Sequence, residues 1–204
     1  MQKKDWIGNK KTTFVTLGAS NHTNSEREKN DYYATNPKAL EIFLKKIKED
    51  EIELDNRIWE CACGEGHLSK LLESYGYNVY SSDLIDRKYG EFGVDFLKQD
   101  FINYFEGDIL TNPPYKYAKE FVEKALELVK DDKKVIMFLK IQFLEGKARR
   151  KLFEKYPPKY VYVNTSRQIC YLNGKIKNKM SSPTCYCWFI WEKGFFGESI
   201  IRWI

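Results

Sequence analysis

The chain has 204 residues, of which 43% are hydrophobic, 16% aromatic and 31% charged, and its net charge is +5 at neutral pH. This length suffices for one domain with a full hydrophobic core, and an apolar run such as Val135–Leu139 is far too short to span a membrane. The first residues lack the apolar stretch of a secretory signal, and the five cysteines do not have the spacing of a disulfide framework. The composition therefore predicts a reduced, soluble, cytoplasmic protein.

Positive charge is concentrated in residues 145–180. This segment carries ten Lys or Arg residues against Glu145 and Glu154, a net charge of +8, which leaves −3 for the rest of the chain. Such a concentration is expected where a protein contacts a polyanion such as nucleic acid. A solvated, lysine-rich surface is the alternative explanation.

The first thirty residues are polar and predict an extended amino-terminal arm. Regular structure is expected to begin at Asn36, which can cap a helix that carries Pro37 in its first turn. Apolar residues at the spacing of one helix face follow at Leu40, Phe43, Leu44 and Ile47.

Apolar strands then alternate with amphipathic helices. Strands are predicted over 57–62, 77–82, 108–111, 134–140, 159–164 and 184–192, and helices over 68–75, 118–129 and 145–155. This alternation predicts an α/β fold with a mainly parallel sheet covered by helices on both faces. The last two strands have no helix between them, which predicts an antiparallel hairpin at one edge. We expect one domain over residues 31–204, preceded by the arm at residues 1–30.

In such sheets, ligands bind beyond the carboxyl ends of the strands. The first strand after the helix is followed by Gly64-Glu65-Gly66, whose glycines permit a tight turn and a close approach to the backbone. Ser69 stands where a dinucleotide fingerprint has its third glycine, and a Walker lysine is also missing, so a triphosphate cradle is not indicated. A lone Gly-x-Gly is equally compatible with an ordinary turn.

Two acidic residues strengthen the prediction of a nucleoside site. Glu60, at the end of the first of these strands, can pair with a cationic amino group, and Asp83, at the end of the next, can accept both hydroxyls of a ribose. A simple turn residue is the alternative for Asp83. Together the acids and the glycines favour an adenosyl ligand without phosphates, which S-adenosylmethionine fits best.

The most specific motif is Asn112-Pro113-Pro114-Tyr115, between a predicted strand and a predicted helix. The prolines fix the backbone and leave carbonyl groups that can point into a pocket, and Tyr115 offers a flat face for stacking. The exocyclic amine of adenine is a poor nucleophile because its lone pair is delocalised into the ring. If the Asn112 side chain and the Pro113 carbonyl hold its hydrogens, the lone pair becomes available to a sulfonium methyl group, and positioning with fixed dipoles does the catalysis.

These motifs resemble those of the adenine-N6 DNA methyltransferases, specifically the small phage-encoded type, over nearly the whole chain. The resemblance implies a Rossmann-like methyltransferase fold, S-adenosylmethionine as cofactor, DNA as substrate and, for a phage-encoded member, the host cytoplasm as location. It further implies that the motif around Tyr33 and Thr35 closes over the methionine end of the cofactor, and that Asp95-Phe96 holds its adenine, with Asp100 as a rival for that role. Larger relatives carry a separate target-recognition domain of about a hundred residues. We do not expect any segment of these 204 residues to form one, so we expect short or relaxed sequence specificity.

The candidate site residues fall into three groups. The catalytic group is Asn112, Pro113, Pro114 and Tyr115. The cofactor group is Tyr33, Thr35, Glu60, Gly64, Gly66, Asp83, Asp95 and Phe96. The nucleic-acid group is Lys147, Arg149, Arg150, Lys151, Arg167, Lys175, Lys177 and Lys179.

Several alternatives stay open at this point. The same tetrad could serve an RNA adenine or a protein glutamine methyltransferase, and a degenerate methyltransferase fold could bind nucleic acid without catalysis. The Cys61/Cys63 and Cys185/Cys187 pairs fit buried apolar cysteines better than a zinc site, because zinc knuckles usually space their cysteines more widely. No metal is therefore expected, and neither the recognition sequence nor the oligomeric state follows from the sequence.

Overall fold

A computed structural model of the chain describes residues 33–100, 105–166, 170–172 and 184–204, the side chains of Tyr33 and of residues 170–172 excepted. The predicted arm at residues 1–30 and the polar stretch at residues 173–183 lie outside the described residues, as do Arg167, Lys175, Lys177 and Lys179. Within the described part of the chain, no helix is long and apolar enough to cross a membrane.

An eight-stranded sheet and its flanking helices form the body of the molecule. The α-helices are α1 (Pro37–Glu49), α2 (His67–Ser74), α3 (Ala118–Leu128) and α4 (Lys147–Lys155). The strands are β1 (Tyr33–Thr35), β2 (Arg57–Glu60), β3 (Asn78–Asp83), β4 (Glu91–Phe92), β5 (Asp108–Thr111), β6 (Lys134–Lys140), β7 (Tyr160–Val163), β8 (Cys170–Leu172), β9 (Tyr186–Glu192) and β10 (Ile200–Trp203). Short 3-10 turns cover Phe96–Lys98, Tyr115–Tyr117 and Ile141–Leu144.

The strand order is β10-β7-β9-β6-β5-β2-β3-β4, and β9 is the one strand of this sheet that runs antiparallel to its neighbours. The predicted mainly parallel sheet and the antiparallel pairing of the last two predicted strands are confirmed. The pair is not a simple hairpin at the rim, because β9 inserts between β6 and β7 and β10 pairs outside β7. A separate two-stranded sheet joins β1 to β8.

The core consists of two apolar layers, one on each face of the sheet, and β9 contributes to both. Tyr186, Trp188 and Ile190 pack on the layer that contains α1 and α2, whereas Cys187, Phe189 and Trp191 pack on the layer that contains α3. This follows from the alternation of side chains along a strand that is covered on both faces. The start of α1 is as predicted, since the Asn36 side chain accepts from the Lys38 N–H at 3.0 Å.

Candidate active site

A cavity of about 490 Å³ lies at the carboxyl ends of β2, β3 and β5, where ligands of parallel sheets bind. The four strands β3, β2, β5 and β6 run parallel, so the segments that follow them meet at this one edge. Eight of the predicted catalytic and cofactor residues line the cavity: Thr35, Glu60, Asp83, Asp95, Phe96, Asn112, Pro113 and Pro114. The side chain of Tyr33 lies outside the described residues.

Glu60 is a buried carboxyl group in the cavity wall, with 2% of its surface exposed. The Ser69 hydroxyl and backbone N–H, in the first turn of α2, donate to it, and the Ser81 hydroxyl donates to Ser69 at 2.7 Å. Burial nevertheless raises the pKa of Glu60 to about 8, with a further contribution from the negative charges of Asp83 and Glu73, because the hydrogen bonds from Ser69 offset only part of the lost hydration. The carboxyl group therefore keeps its proton at neutral pH unless a cation enters the cavity.

The Asp83 side chain connects the glycine loop, residues 64–66, to the end of β3 through hydrogen bonds. Its two carboxylate oxygens accept the Gly64 N–H at 2.8 Å and the Ile85 N–H at 2.9 Å. The Asp83 side chain therefore forms the turn that was the alternative interpretation, and it also lines the cavity.

The two glycines of the loop shape the turn and do not themselves line the cavity. Gly64 and Gly66 both have positive φ, at 55° and 76°. At Gly66 a Cβ would lie 2.3 Å from the Tyr89 ring, so the close approach that glycine permits is to this ring. Tyr89 also contacts Lys70, whose Nζ lies 4.6 Å from the ring centroid.

Asp95 is held at the cavity by the 3-10 turn that it caps. Its Oδ1 accepts the Leu97 N–H at 3.2 Å, and its Oδ2 lies 3.2 Å from Lys98 Nζ. Phe96 anchors this turn in the core, stacked on Phe121 with ring centroids 4.9 Å apart. Asp100, the rival of Asp95, is exposed and does not line the cavity.

The tetrad begins where β5 ends and leads through the Tyr115–Tyr117 turn into α3. Asn112 Nδ2 donates to Thr35 Oγ1 at 2.8 Å, which connects the tetrad to β1. The side chain of Tyr115 does not line the cavity but lies beside it, with its ring centroid 6.0 Å from that of Tyr186 and 4.7 Å from Lys140 Nζ.

Sequence reasoning missed the apolar part of the cavity and two residues near the tetrad. Leu84, Ile85, Val94 and Leu97 line the cavity, and Lys116, which directly follows the tetrad, lines it as well. An apolar pair directly after the acid of β3 was the available signal for Leu84 and Ile85. Lys140 had no signal, because its position over Tyr115 depends on the pairing of β6 with β5.

The predicted nucleic-acid residues of α4 have different surroundings. Lys147, Arg150 and Lys151 are exposed, and Arg150 pairs with Glu154 at 2.6 Å. Arg149 is half-buried and donates to the backbone carbonyls of Phe143, Gln142 and Glu145. The structure therefore shows a role for Arg149 in holding the 3-10 turn that follows β6.

The cysteines whose side chains are described are free thiols, with Cys61, Cys63 and Cys187 buried and Cys185 half-buried. Burial raises the pKa of Cys63 and of Cys187 to about 12, which keeps both thiols protonated. In the described ranges, no group of three or more His, Cys, Asp or Glu side chains is arranged to hold a metal ion.

Comparison with known proteins finds no matching family model and no matching curated protein. Solved structures do match. One, described as a class I S-adenosylmethionine-dependent methyltransferase from Listeria monocytogenes, has a TM-score of 0.59 and 12% identity over 96% of this chain and 72% of that chain. Another, described as an RNA methyltransferase from Pyrococcus horikoshii, has a TM-score of 0.56 and 15% identity over 91% of this chain and 99% of that chain.

A third match is the methyltransferase subunit of a type I restriction-modification system from Streptococcus thermophilus. Its TM-score is 0.60 at 15% identity over 86% of this chain, which spans about half (48%) of that subunit. These neighbours differ in what they act on, so their likeness does not decide a substrate. What the likeness establishes is that this chain has the Rossmann-like fold of the class I S-adenosylmethionine-dependent methyltransferases.

Proposed function

We propose that this protein transfers a methyl group from S-adenosylmethionine to the N6 amine of adenine in DNA. The observation that carries the proposal is the position of Asn112-Pro113-Pro114, which forms one wall of the cavity that Glu60, Asp83 and Asp95 also line. A tetrad suited to holding a planar amine thus lies beside the groups suited to an adenosyl ligand. The methyltransferase fold around this cavity supports methyl transfer from S-adenosylmethionine and leaves the substrate to the tetrad.

The size of the cavity and the chemical types of its lining residues support S-adenosylmethionine as the ligand. About 490 Å³ lies within the range of ~300–1,000 Å³ that small-molecule sites occupy. Asp83 would accept hydrogen bonds from the ribose hydroxyls, Asp95 would accept one from the amine of the cofactor adenine, and Leu84 and Phe96 would supply apolar surface for the adenine ring. Glu60 would face the cationic amino group of the methionine end, whose positive charge would compensate a buried carboxylate.

When bound, S-adenosylmethionine supplies an electrophilic methyl group. Asn112 would hold one hydrogen of the target amine through its side-chain oxygen, and the Pro113 carbonyl would hold the other. Tyr115 would stack on the extrahelical base, a contact worth roughly 1–3 kcal/mol, which offsets the cost of removing the base from a duplex. The rigid backbone of the two prolines keeps these acceptors in place before the substrate arrives.

Two features favour DNA over the alternatives. Exposed cationic side chains lie on α4, which begins just after the turn that follows β6. Their positive charge would attract a polyanion such as DNA to the surface of this helix. The segment assigned to the methionine end, β1, precedes the glycine loop in the chain, as the resemblance to the DNA enzymes implies. An RNA adenine or a protein glutamine remains the second candidate, because the tetrad can hold any planar amine or amide.

Nucleoside analysis after methylation tests the proposal. The protein is incubated with labelled S-adenosylmethionine and unmethylated DNA, RNA or total protein, and the products are digested and separated. We expect label on N6-methyldeoxyadenosine, and its loss in Asn112→Ala. Asn78→Ala, an exposed asparagine at the opposite end of β3, serves as the matched control and should retain activity. Label only on RNA or glutamine would support the second candidate, and cofactor binding without any transfer would support a binding protein.

A further inference from the structure

The contact between Thr35 and Asn112 connects two segments that are 77 residues apart in the chain. Thr35 is the last residue of β1 and is 3% exposed. Its Oγ1 accepts a hydrogen from Asn112 Nδ2 at 2.8 Å, and both residues line the cavity. The contact therefore lies inside the site, beside the group proposed to hold the target amine.

The two ends of the Asn112 carboxamide have opposite hydrogen-bonding character. Its oxygen only accepts, whereas its nitrogen carries two hydrogens and only donates. An amine whose hydrogens must be held requires the oxygen, and an Asn112 turned the other way would present a donor to another donor. With Nδ2 directed at Thr35, Oδ1 occupies the other side of the carboxamide.

We infer that Thr35 is a positioning residue that fixes the Asn112 carboxamide with its oxygen toward the target amine. This inference rests on the proposed function and departs from the role that the family resemblance implies for Thr35, which is contact with the methionine end of the cofactor. The two roles predict different consequences when the hydroxyl group is removed.

Thr35 is itself held firmly enough to orient another side chain. β1 pairs with β8, where Thr35 lies opposite Cys170, and Ala34 beside it is buried. The next residue, Asn36, caps α1. The backbone that carries the Thr35 hydroxyl group is thus fixed by strand pairing on one side and by a helix cap on the other, and such support preorganises an orienting contact.

Steady-state kinetics with Thr35→Val and Thr35→Ser separate the two roles. Valine keeps the β-branched shape that suits a buried strand but removes the acceptor, whereas serine keeps the hydroxyl group. We expect Thr35→Val to lower kcat ~10- to 100-fold, as for a buried donor left without its acceptor, while the Kd of S-adenosylhomocysteine measured by calorimetry stays at the wild-type value. Thr35→Ser should recover most of the activity. A weakened Kd in Thr35→Val, or an unchanged kcat, would overturn the inference.

The hydrogen bond itself has a readout that does not depend on activity. In ¹⁵N–¹H spectra the side-chain amide of Asn112 is assigned by its loss in Asn112→Asp, and its proton exchange is followed. We expect slow exchange in the wild type and in Thr35→Ser and fast exchange in Thr35→Val; equal exchange in all three would contradict the inference. A wild-type protein that methylates no DNA adenine would contradict the proposed function instead, and the amide spectra would then decide the role of Thr35 alone.

Discussion

At the scale of single residues, Glu60 shows how burial outweighs favourable hydrogen bonding. Its carboxyl group accepts hydrogen bonds from the hydroxyl and the backbone N–H of Ser69. Ser69 lies at the start of α2, where the helix dipole favours a negative charge. Burial of the carboxyl group is the larger effect, and the pKa of Glu60 rises to about 8. A buried acid with a strongly raised pKa is typical of a functional site. In a purely structural position, an amide side chain could make similar hydrogen bonds without the free-energy cost of burying a charge.

We expect the stability of the protein to fall as pH rises from about 5 to about 8. The folded chain keeps the Glu60 proton up to a pKa of about 8, whereas the unfolded chain releases it near the ordinary value of 4.5, so the folded state binds more protons across this interval. Each unit of pKa difference corresponds to ~1.4 kcal/mol, so the loss is on the order of 4 kcal/mol. Glu60→Gln should remove this dependence and be the more stable form at pH 8.

Urea denaturation of both proteins at pH 5.5, 7 and 8.5 without ligand measures the effect. The matched control is Glu49→Gln, because Glu49 is an exposed carboxylate at the end of α1. Its stability should follow that of the wild type at each pH. If the free energy of unfolding depended on pH in the same way in the wild type and in Glu60→Gln, the Glu60 carboxyl group would be ionised in the folded protein and the expectation would be wrong.

At the scale of elements, the cationic side chains of α4 have two different kinds of surroundings. Arg149 faces the molecule and donates to the three carbonyls of the turn before it, with its guanidinium 5.2 Å from the Phe143 ring centroid. Lys147 and Lys151 face solvent, and no ion pair with another described residue fixes them. The same basic sequence thus contains a structural residue and candidate phosphate contacts, which follows from the helical period of α4.

The two kinds of surroundings predict different effects on DNA binding. Replacing both Lys147 and Lys151 with Gln should weaken binding and reduce the slope of log Kd against log salt by about one for each lysine, as expected for lost phosphate contacts. The melting temperature should not change, because neither side chain supports the fold. Arg149→Gln should instead destabilise the protein by ~1–3 kcal/mol, since the carbonyls of the turn lose their donor.

Fluorescence anisotropy with a labelled duplex at several salt concentrations, together with thermal melting, separates these outcomes. Lys45→Gln is the control, an exposed lysine on α1 that pairs with Glu41. A salt slope that is unchanged in the Lys147/Lys151 double variant would show that the basic run on α4 is a solvated surface.

At the scale of the whole molecule, the sheet brings the site together. β2, β3 and β5 are short strands from different parts of the chain, and only their parallel alignment places Glu60, Asp83 and Asn112 around one cavity. Core side chains on both faces of the sheet hold these strands. We therefore expect a ligand that contacts the ends of all three strands to stabilise the folded state of the whole sheet.

We expect S-adenosylhomocysteine to raise the melting temperature. At a concentration of ~100 Kd a ligand of the folded state adds ~2.7 kcal/mol, which corresponds to roughly 5–10 °C for a chain of this size. ATP, which contains the same nucleoside but requires a phosphate cradle, is the matched control ligand and should give little or no shift. A larger shift with ATP would contradict the assignment of the cavity to an adenosyl ligand without phosphates.

The sequence by itself determined the local structure and the types of residue in the candidate site. Period-2 and period-3.6 patterns predict the four described helices and six of the ten described strands within a few residues, because side-chain burial on one or two faces is a local property of the chain. The motifs around Glu60, Asp83 and Asn112 predict the edge of the sheet that carries the cavity, because parallel strands share their carboxyl ends. The short strand β10 and the insertion of β9 between β6 and β7 had no such signal, since pairing partners are selected by contacts distant in sequence.

Only the tertiary structure decided which side chains within those motifs meet. The hydrogen bond from Asn112 to Thr35, the burial of Glu60 against Ser69 and the contact of Gly66 with Tyr89 join segments whose distances depend on strand order and helix packing. The family resemblance favoured Asp95 and left Asp100 as a rival, and the turn anchored by Phe96 places Asp95 in the cavity wall and leaves Asp100 exposed to solvent. Residue types fix the chemistry that is available, whereas desolvation and hydrogen-bond geometry, which decide how each group behaves, exist only once distant parts of the chain have packed together.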